Sequence, residues 1–291
     1  MKVINKTIGQ GIKKNSMGII KKHCYKILTK KVSKLDKRWF AFTFNILQRM
    51  LEQSVRVEWC GDHFIVMDTE LPGVRHRFRD QRHGTWAYKQ GLTARINYFK
   101  ELYFLYQIDF KDGDIFIDCG ANVGDSTLYF RANNINIEYI GFEPSPIEFE
   151  CLKHNVAFLG KAFNIGLWKD EGFLLFYVSS KNADSSFIEP VQYDDTIKIP
   201  TKKLEEFITK PVKCLKLEAE GGEPEVIEGI GDKLNLIEYI AADLGHERGV
   251  YCEATLAPVT NFLLSRGFVM QTCIGNRLCV LFRNTNFSKT N

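Results

Sequence analysis

The segment Asp114-Ile-Phe-Ile-Asp-Cys-Gly-Ala-Asn-Val-Gly-Asp-Ser-Thr127 constrains this chain more than any other. Three apolar residues, Ile115, Phe116 and Ile117, run into a carboxylate, Asp118; two glycines, Gly120 and Gly124, then precede a helix-like stretch. So short an apolar run reads as a buried strand, and the glycines as the tight turn that leads it into a helix. In an open α/β sheet a nucleotide-like ligand sits there, beyond the carboxyl ends of the strands. A dinucleotide fold needs G-x-G-x-x-G at that point, so that backbone can approach a pyrophosphate. Here the order is Asp118-x-Gly120-x-x-x-Gly124, with the middle glycine missing. An acid suits an ammonium better than a pyrophosphate, so Asp118 is expected to hold a methionine-like amine, directly or through water. Gly120 lets backbone come close, although glycine also serves a plain strand-to-helix turn.

From residue 113 onward strand and helix patterns alternate. Strands are expected at 114–118, 137–142, 161–165, 213–218, 236–243, 267–272 and 277–283, and helices at 124–133, 146–158, 222–230 and 254–266. Such alternation implies an α/β fold with a mainly parallel sheet and helices on both faces. The last two strands, joined by a short Gly275-Asn276 turn, should pair antiparallel as an edge hairpin. A polar, β-rich stretch at 172–205 interrupts the rhythm. We read residues 1–55 as a mainly helical basic extension, 56–110 as a small β/α cap region and 111–291 as the main domain. Within the cap, a hairpin at 56–70 turns at Gly61-Asp62, and residues 84–107 read as helical.

The net charge of +4 conceals an asymmetry: residues 1–40 hold twelve Lys/Arg and one acid, Asp36, a local +11 that leaves −7 on the rest. Such an arm can lie on anionic lipid, each Lys or Arg contributing about 1 kcal/mol. Trp39, Phe40, Phe42, Phe44, Ile46 and Leu47 follow, too short a patch to span a bilayer but suited to its interface. Peripheral membrane contact through residues 1–47 therefore stands beside the plainer alternative of a solvated basic helix packed on the body. Nucleic acid is not expected, since no motif spaces aromatics for stacking on bases. The chain has neither a long apolar run nor a secretory segment, so a cytoplasmic protein, membrane-peripheral at most, is expected. None of the eight cysteines forms C-x-x-C, which argues for reduced thiols over a zinc ribbon or a redox pair. Oligomeric state has no signal in the sequence.

Three further stretches bear on chemistry. Tyr139-Ile-Gly-Phe142 leads into Glu143-Pro144, and an acid ending a second strand is placed to accept hydrogen bonds from both ribose hydroxyls. An NAD site can use the same acid; combined with the first turn, Glu143 favours S-adenosyl-L-methionine. In Cys214-Leu-Lys-Leu-Glu-Ala-Glu-Gly-Gly-Glu223 three acids crowd a strand end. Glu218 and Glu220 suit a general base or a divalent ion, or else they merely lead into the next helix; Glu223 is read as helix start. Finally, His246 in Ala241-Ala-Asp-Leu-Gly-His-Glu247 is either a general base for a hydroxyl or a polar loop residue.

Together these residues resemble the FkbM-type S-adenosylmethionine-dependent methyltransferases over roughly residues 90–283. The resemblance rests on Asp118-Cys-Gly-Ala-Asn-Val-Gly124, Gly141-Phe-Glu-Pro144 and Leu215-Lys-Leu-Glu-Ala-Glu-Gly-Gly-Glu223, with Asn164-Ile-Gly-Leu167 as a lesser match. Glu218 stands where that family usually carries Asp, Asp243 where Glu is usual, and His246 one residue later than the family's histidine. The resemblance implies a Rossmann-like class I methyltransferase sheet of seven strands and transfer of a methyl to oxygen. The acceptor would be a small molecule or glycan, with the methylated hydroxyl on a sugar of a surface glycan, in polysaccharide biosynthesis, or on a secondary metabolite. Asp118, Gly120, Asn122, Gly124, Glu143, Pro144, Asn164 and Ile165 would bind the cofactor, and Glu218, Glu220 or His246 would face the acceptor. An NAD-dependent sugar-modifying enzyme and a non-catalytic, membrane-apposed scaffold on the same fold are the competing readings.

Overall fold

The computed structural model describes residues 31–179, 185–275 and 277–287. Thirty residues of the basic arm and Asn276 of the expected hairpin turn thus lie outside the described residues. The first described helix, α1 (Lys37–Met50), is capped by Asp36, whose carboxylate accepts from the Arg38 amide. It packs on a three-stranded antiparallel sheet, β1 (Val55–Trp59), β2 (Phe64–Asp68) and β3 (Arg75–Phe78). The expected hairpin accounts for the first two strands; β3, with two arginines and a histidine in four residues, carried no strand pattern. The stretch read as helical over 84–107 forms two helices, α2 (Gln81–Tyr88) and α3 (Leu92–Leu102). Gly91 separates them with φ of 92°, a left-handed conformation that ends a right-handed helix.

The main sheet is built from β4 (Ile115–Cys119), β5 (Glu138–Phe142), β6 (Gly160–Phe163), β10 (Val212–Leu217), β11 (Ile237–Asp243), β12 (Phe268–Ile274) and β13 (Cys279–Asn284). Its order is β12-β13-β11-β10-β4-β5-β6, parallel except for β13, which runs antiparallel to both neighbours. All seven expected strands are present within a few residues. The helices α4 (Thr127–Ala132), α5 (Pro146–Val156), α6 (Glu223–Glu228) and α7 (Leu256–Ser265) fall where the patterns placed them. The polar 172–205 stretch instead forms a separate sheet, in which β9 (Asp195–Lys202) lies between β7 (Gly166–Leu167) and β8 (Gly172–Val178).

Period-two alternation divides the sheet's side chains between two cores. Ile115, Ile117, Leu215, Leu217, Ile240 and Phe282 face α6 and α7. Phe116, Tyr139, Cys214, Tyr239 and Leu281 face the other way, against α4, α5 and the N-terminal region. Each Phe or Leu fully buried this way contributes roughly 1.5–3 kcal/mol. A buried charge network ties the N-terminal region to the glycine turn. Asp125, 3% exposed, accepts from Tyr88 Oη at 2.6 Å and Arg95 Nε at 2.7 Å, and lies 2.9 Å from His76 Nε2. Burial opposes the charge of Asp125, but Arg95 and the histidines hold its carboxyl well below the ordinary value.

Candidate functional site

A cavity of about 720 Å³ opens beyond the carboxyl ends of β4, β5 and β10, where the strand order reverses. Among the sequence-predicted residues, Gly120, Asn122, Glu143, Pro144, Ile165, Glu218 and Glu220 line it, whereas Asp118, Gly124, Asn164 and His246 do not.

The glycine turn brings backbone to the floor of the cavity. Gly120 has φ of 69°, and a Cβ there would fall 1.9 Å from the Glu218 carbonyl oxygen, so no side chain fits between the ends of β4 and β10. Asn122, with φ of 50°, donates its amide to Glu143 Oε2 at 2.7 Å. Gly124 is turned away, against Leu152 of α5.

Asp118 does not reach the cavity, contrary to the sequence reading. It shares sheet parity with Phe116 and stands in register opposite Lys216, so its carboxylate points into the core. There it accepts from Ser126 Oγ and from Tyr139 Oη at 2.7 Å, and lies 3.0 Å from Lys216 Nζ. Although Asp118 Oδ1 accepts no geometrically ideal hydrogen bond, the 3.0 Å contact to Lys216 is a close ion pair. Asn164 is also a structural clamp: its Nδ2 donates to the carbonyls of Glu143 and Pro144, both at 2.9 Å, and so fixes the turn that presents Glu143.

Glu143 directly follows β5 and lines the cavity. Its two oxygens accept from the Asn122 and Ser145 amides at 2.7 and 2.8 Å. Burial, with repulsion from Glu148, pushes its carboxyl up to about 8. Apolar side chains, among them Phe142, Ile165, Trp168 and Phe187, line the cavity beside it.

An acidic wall lies at the end of β10. Lys216, buried inside the sheet, donates to the Gly120 carbonyl at 2.9 Å and pairs with Glu218 Oε2 at 3.0 Å. Burial disfavours both charges, but they outweigh it for each other: Lys216 is held well above its ordinary value and Glu218 below its own. Arg277 completes the wall, with Nη2 at 2.6 Å from Asp243, 3.6 Å from Glu247 and 3.9 Å from Glu218. Glu247 lines the cavity, and burial together with Asp243, Glu218 and Glu223 pushes its carboxyl up to about 8. Glu220 adopts a left-handed φ of 49° at the cavity's edge, its carbonyl accepting from Ser186 Oγ. Glu223 is buried and structural, accepting from the Ala219 amide and from Thr255 Oγ1.

His246 is exposed and outside the cavity, with Nδ1 3.3 Å from the Cys252 carbonyl. The loop after β11 directs the next residue, Glu247, inward instead. Sequence reasoning missed Glu247, Arg277 and Lys216. A lysine inside the apolar run of β10 was itself a signal, because a buried ammonium requires a partner. Nothing local in the sequence distinguished Glu247 from its neighbours. Among the described residues, no group of three His, Cys, Asp or Glu is arranged to hold a metal, and seven cysteines are free, four of them buried. No described helix is long and apolar enough to cross a membrane.

Residues 118–270 match the family model described as the methyltransferase FkbM domain. The chain is 25% identical over 191 residues to "Methyltransferase 1" of Beauveria bassiana (strain ARSEF 2860), covering 55% of this chain and 74% of that one. Similar solved structures include a putative rRNA methylase from Clostridium thermocellum, 15% identical, covering 66% of this chain and 94% of that one, with TM-score 0.38. The N-terminal domain of human METTL16, solved with SAH, is 13% identical, covers 88% of this chain and 85% of that one, and has TM-score 0.40.

Proposed function

The chain belongs to the FkbM family of S-adenosylmethionine-dependent methyltransferases, with a class I methyltransferase sheet, and on that premise we propose that it methylates a hydroxyl oxygen. The acceptor we infer is a sugar of a surface glycan or a secondary metabolite.

The donor set of the cavity fits the cofactor. Each oxygen of Glu143 accepts one backbone amide, which leaves lone pairs free for two ribose hydroxyls. The apolar wall of Ile165, Phe142 and Trp168 suits a purine ring, and the acids at the end of β10 suit a sulfonium. S-adenosylmethionine, when bound, supplies an electrophilic methyl. The observation that carries the reading is that Glu143 and the Glu218–Glu247 wall share one cavity.

The rest of the work belongs to the chain's own side chains. Glu247 takes the acceptor hydroxyl's proton at its carboxylate, a role suited to a group that titrates near 8. Glu218, kept anionic by Lys216, accepts a hydrogen bond from the acceptor and orients it. Arg277 keeps the two carboxylates close without mutual repulsion driving them apart. Positioning the acceptor supplies much of the acceleration, and the base adds roughly 10²–10⁴-fold.

Calorimetry with S-adenosylmethionine, S-adenosylhomocysteine and NAD, followed by transfer of labelled methyl to glycan and small-molecule fractions, tests this. The expected product is a base-stable methyl ether. A base-labile methyl ester, an N-methyl product, or binding of NAD alone would refute the reading.

A further inference from the structure

We propose that α1 docks on an anionic lipid bilayer through its outward face. The helix has two apolar sides. Phe40, Ala41 and Phe44 are buried, and Phe40 packs edge-on to Phe64 of β2 at 5.1 Å. Opposite them, Trp39, Phe42, Ile46 and Met50 are exposed by 62%, 58%, 39% and 74%, and Leu35, just before the helix, is exposed by 38%. Steps of three and four residues put the four helical side chains on one stripe. Trp39 and Phe42 meet edge-to-face with ring centroids 5.9 Å apart, so the stripe is a continuous surface. Monomeric proteins rarely leave such a patch bare without a partner.

The charges of this segment select the partner. The helix contains Lys37, Arg38 and Arg49 and no acid, and exposed Lys31 and Lys34 lie before it with one acid, its cap Asp36. The thirty residues that lead into this segment contain eight lysines and no acid. A nucleic acid would use the cations but has no place for four apolar side chains on a helix face. A hydrophobic protein groove would take the stripe but not so one-sided a charge. The interface of an anionic bilayer takes both, with aromatic side chains at the headgroup boundary and Lys/Arg against lipid phosphates. The helix lies flat there, because its fourteen residues reach only about 21 Å.

The contact is oriented with respect to the cavity. Gln81 Nε2 at the start of α2 donates to the Leu35 carbonyl at 3.0 Å, and Lys37 itself lines the cavity. The helix that docks therefore also contributes a residue, from its other side, to the cavity wall.

The test is co-sedimentation of the full chain with phosphatidylcholine vesicles, with and without phosphatidylglycerol, beside the Trp39→Ser/Phe42→Ser variant. Both substituted side chains are exposed, so melting temperature and cofactor binding serve as controls that should not move. The expected result is salt-sensitive binding to the anionic vesicles only, weakened roughly tenfold or more in the variant. Equal binding by the variant would overturn the proposal, because the basic segment alone would then make the contact. So would the absence of binding to either vesicle, or a dimer of the wild type that the variant dissociates, which would make the stripe an interface between copies. Protection of Trp39 from acrylamide without lipid would also overturn it, since the chain's own first residues would then cover the stripe. None of these readouts depends on methyl transfer.

Discussion

Lys216 Nζ lies 3.0 Å from Asp118 Oδ1, an ion pair between register partners on β10 and β4 whose side chains are 2% and 1% exposed. The pair joins the two strands whose ends form the cavity floor, and Lys216 passes the contact on to Glu218.

Lys216→Met should therefore destabilise the fold by about 3–5 kcal/mol, because it leaves a buried carboxylate unpaired. Lys216→Met combined with Asp118→Asn should recover part of that loss. Urea unfolding of the single and double variants measures both. A single variant as stable as the wild type would show that the pair has no structural role.

Glu143→Ala should weaken S-adenosylmethionine binding by roughly ten- to a hundred-fold, the range for losing the two ribose hydrogen bonds. Calorimetry reads the change directly. Unchanged affinity would remove Glu143 from the ribose role.

Glu247→Gln and His246→Ala are neighbouring substitutions with opposite expected outcomes. The first should lower methyl transfer by roughly 10²–10⁴-fold, since a general base is lost. The second should leave it nearly unchanged, as His246 is exposed and outside the cavity. A reversed pattern in single-turnover assays would restore the histidine as base.

Gly120→Ala should abolish cofactor binding and lower the melting temperature. The added Cβ meets the Glu218 carbonyl oxygen at 1.9 Å, and a φ of 69° adds its own strain of about 1–2 kcal/mol. A thermal melt identical to that of the wild type would contradict this.

The pH dependence of stability follows from Glu247 and Glu143, both pushed up to about 8 by burial and nearby acids. Each binds a proton in the folded chain at pH values where the unfolded chain has already released it. Their contribution is fully present below the ordinary glutamate value and is lost as pH rises through about 8. Between those limits, folding stability of the cofactor-free protein should fall with rising pH, and Glu247→Gln should flatten the slope. Denaturant unfolding at several pH values measures it, and a variant as steep as the wild type would place the titration elsewhere.

The seven strands were legible because buried parallel strands leave short apolar runs between turn residues, as Ile115-Phe-Ile117 does before Gly120. The break within the helical stretch 84–107 was not, because only the backbone angle at Gly91 shows it. For the candidate site, Glu143 was placed by its position at a strand end. Asp118 lies deeper, inside β4 and opposite Gly141 in the register, and it faces the core. Two acids near neighbouring strand ends therefore play different parts, and the difference is one of depth along the strand and of partner.

By itself the sequence determined the family, the strand order's raw material and the turn that no pyrophosphate would suit, because those depend on local pattern and spacing. The tertiary structure alone decided which acids face the cavity. That depends on the register between β10 and β4, which gives Asp118 to Lys216, and on the loop after β11, which turns Glu247 inward and His246 out. Burial and neighbouring charge act through space, between residues far apart in the chain, and no reading along one strand contains them.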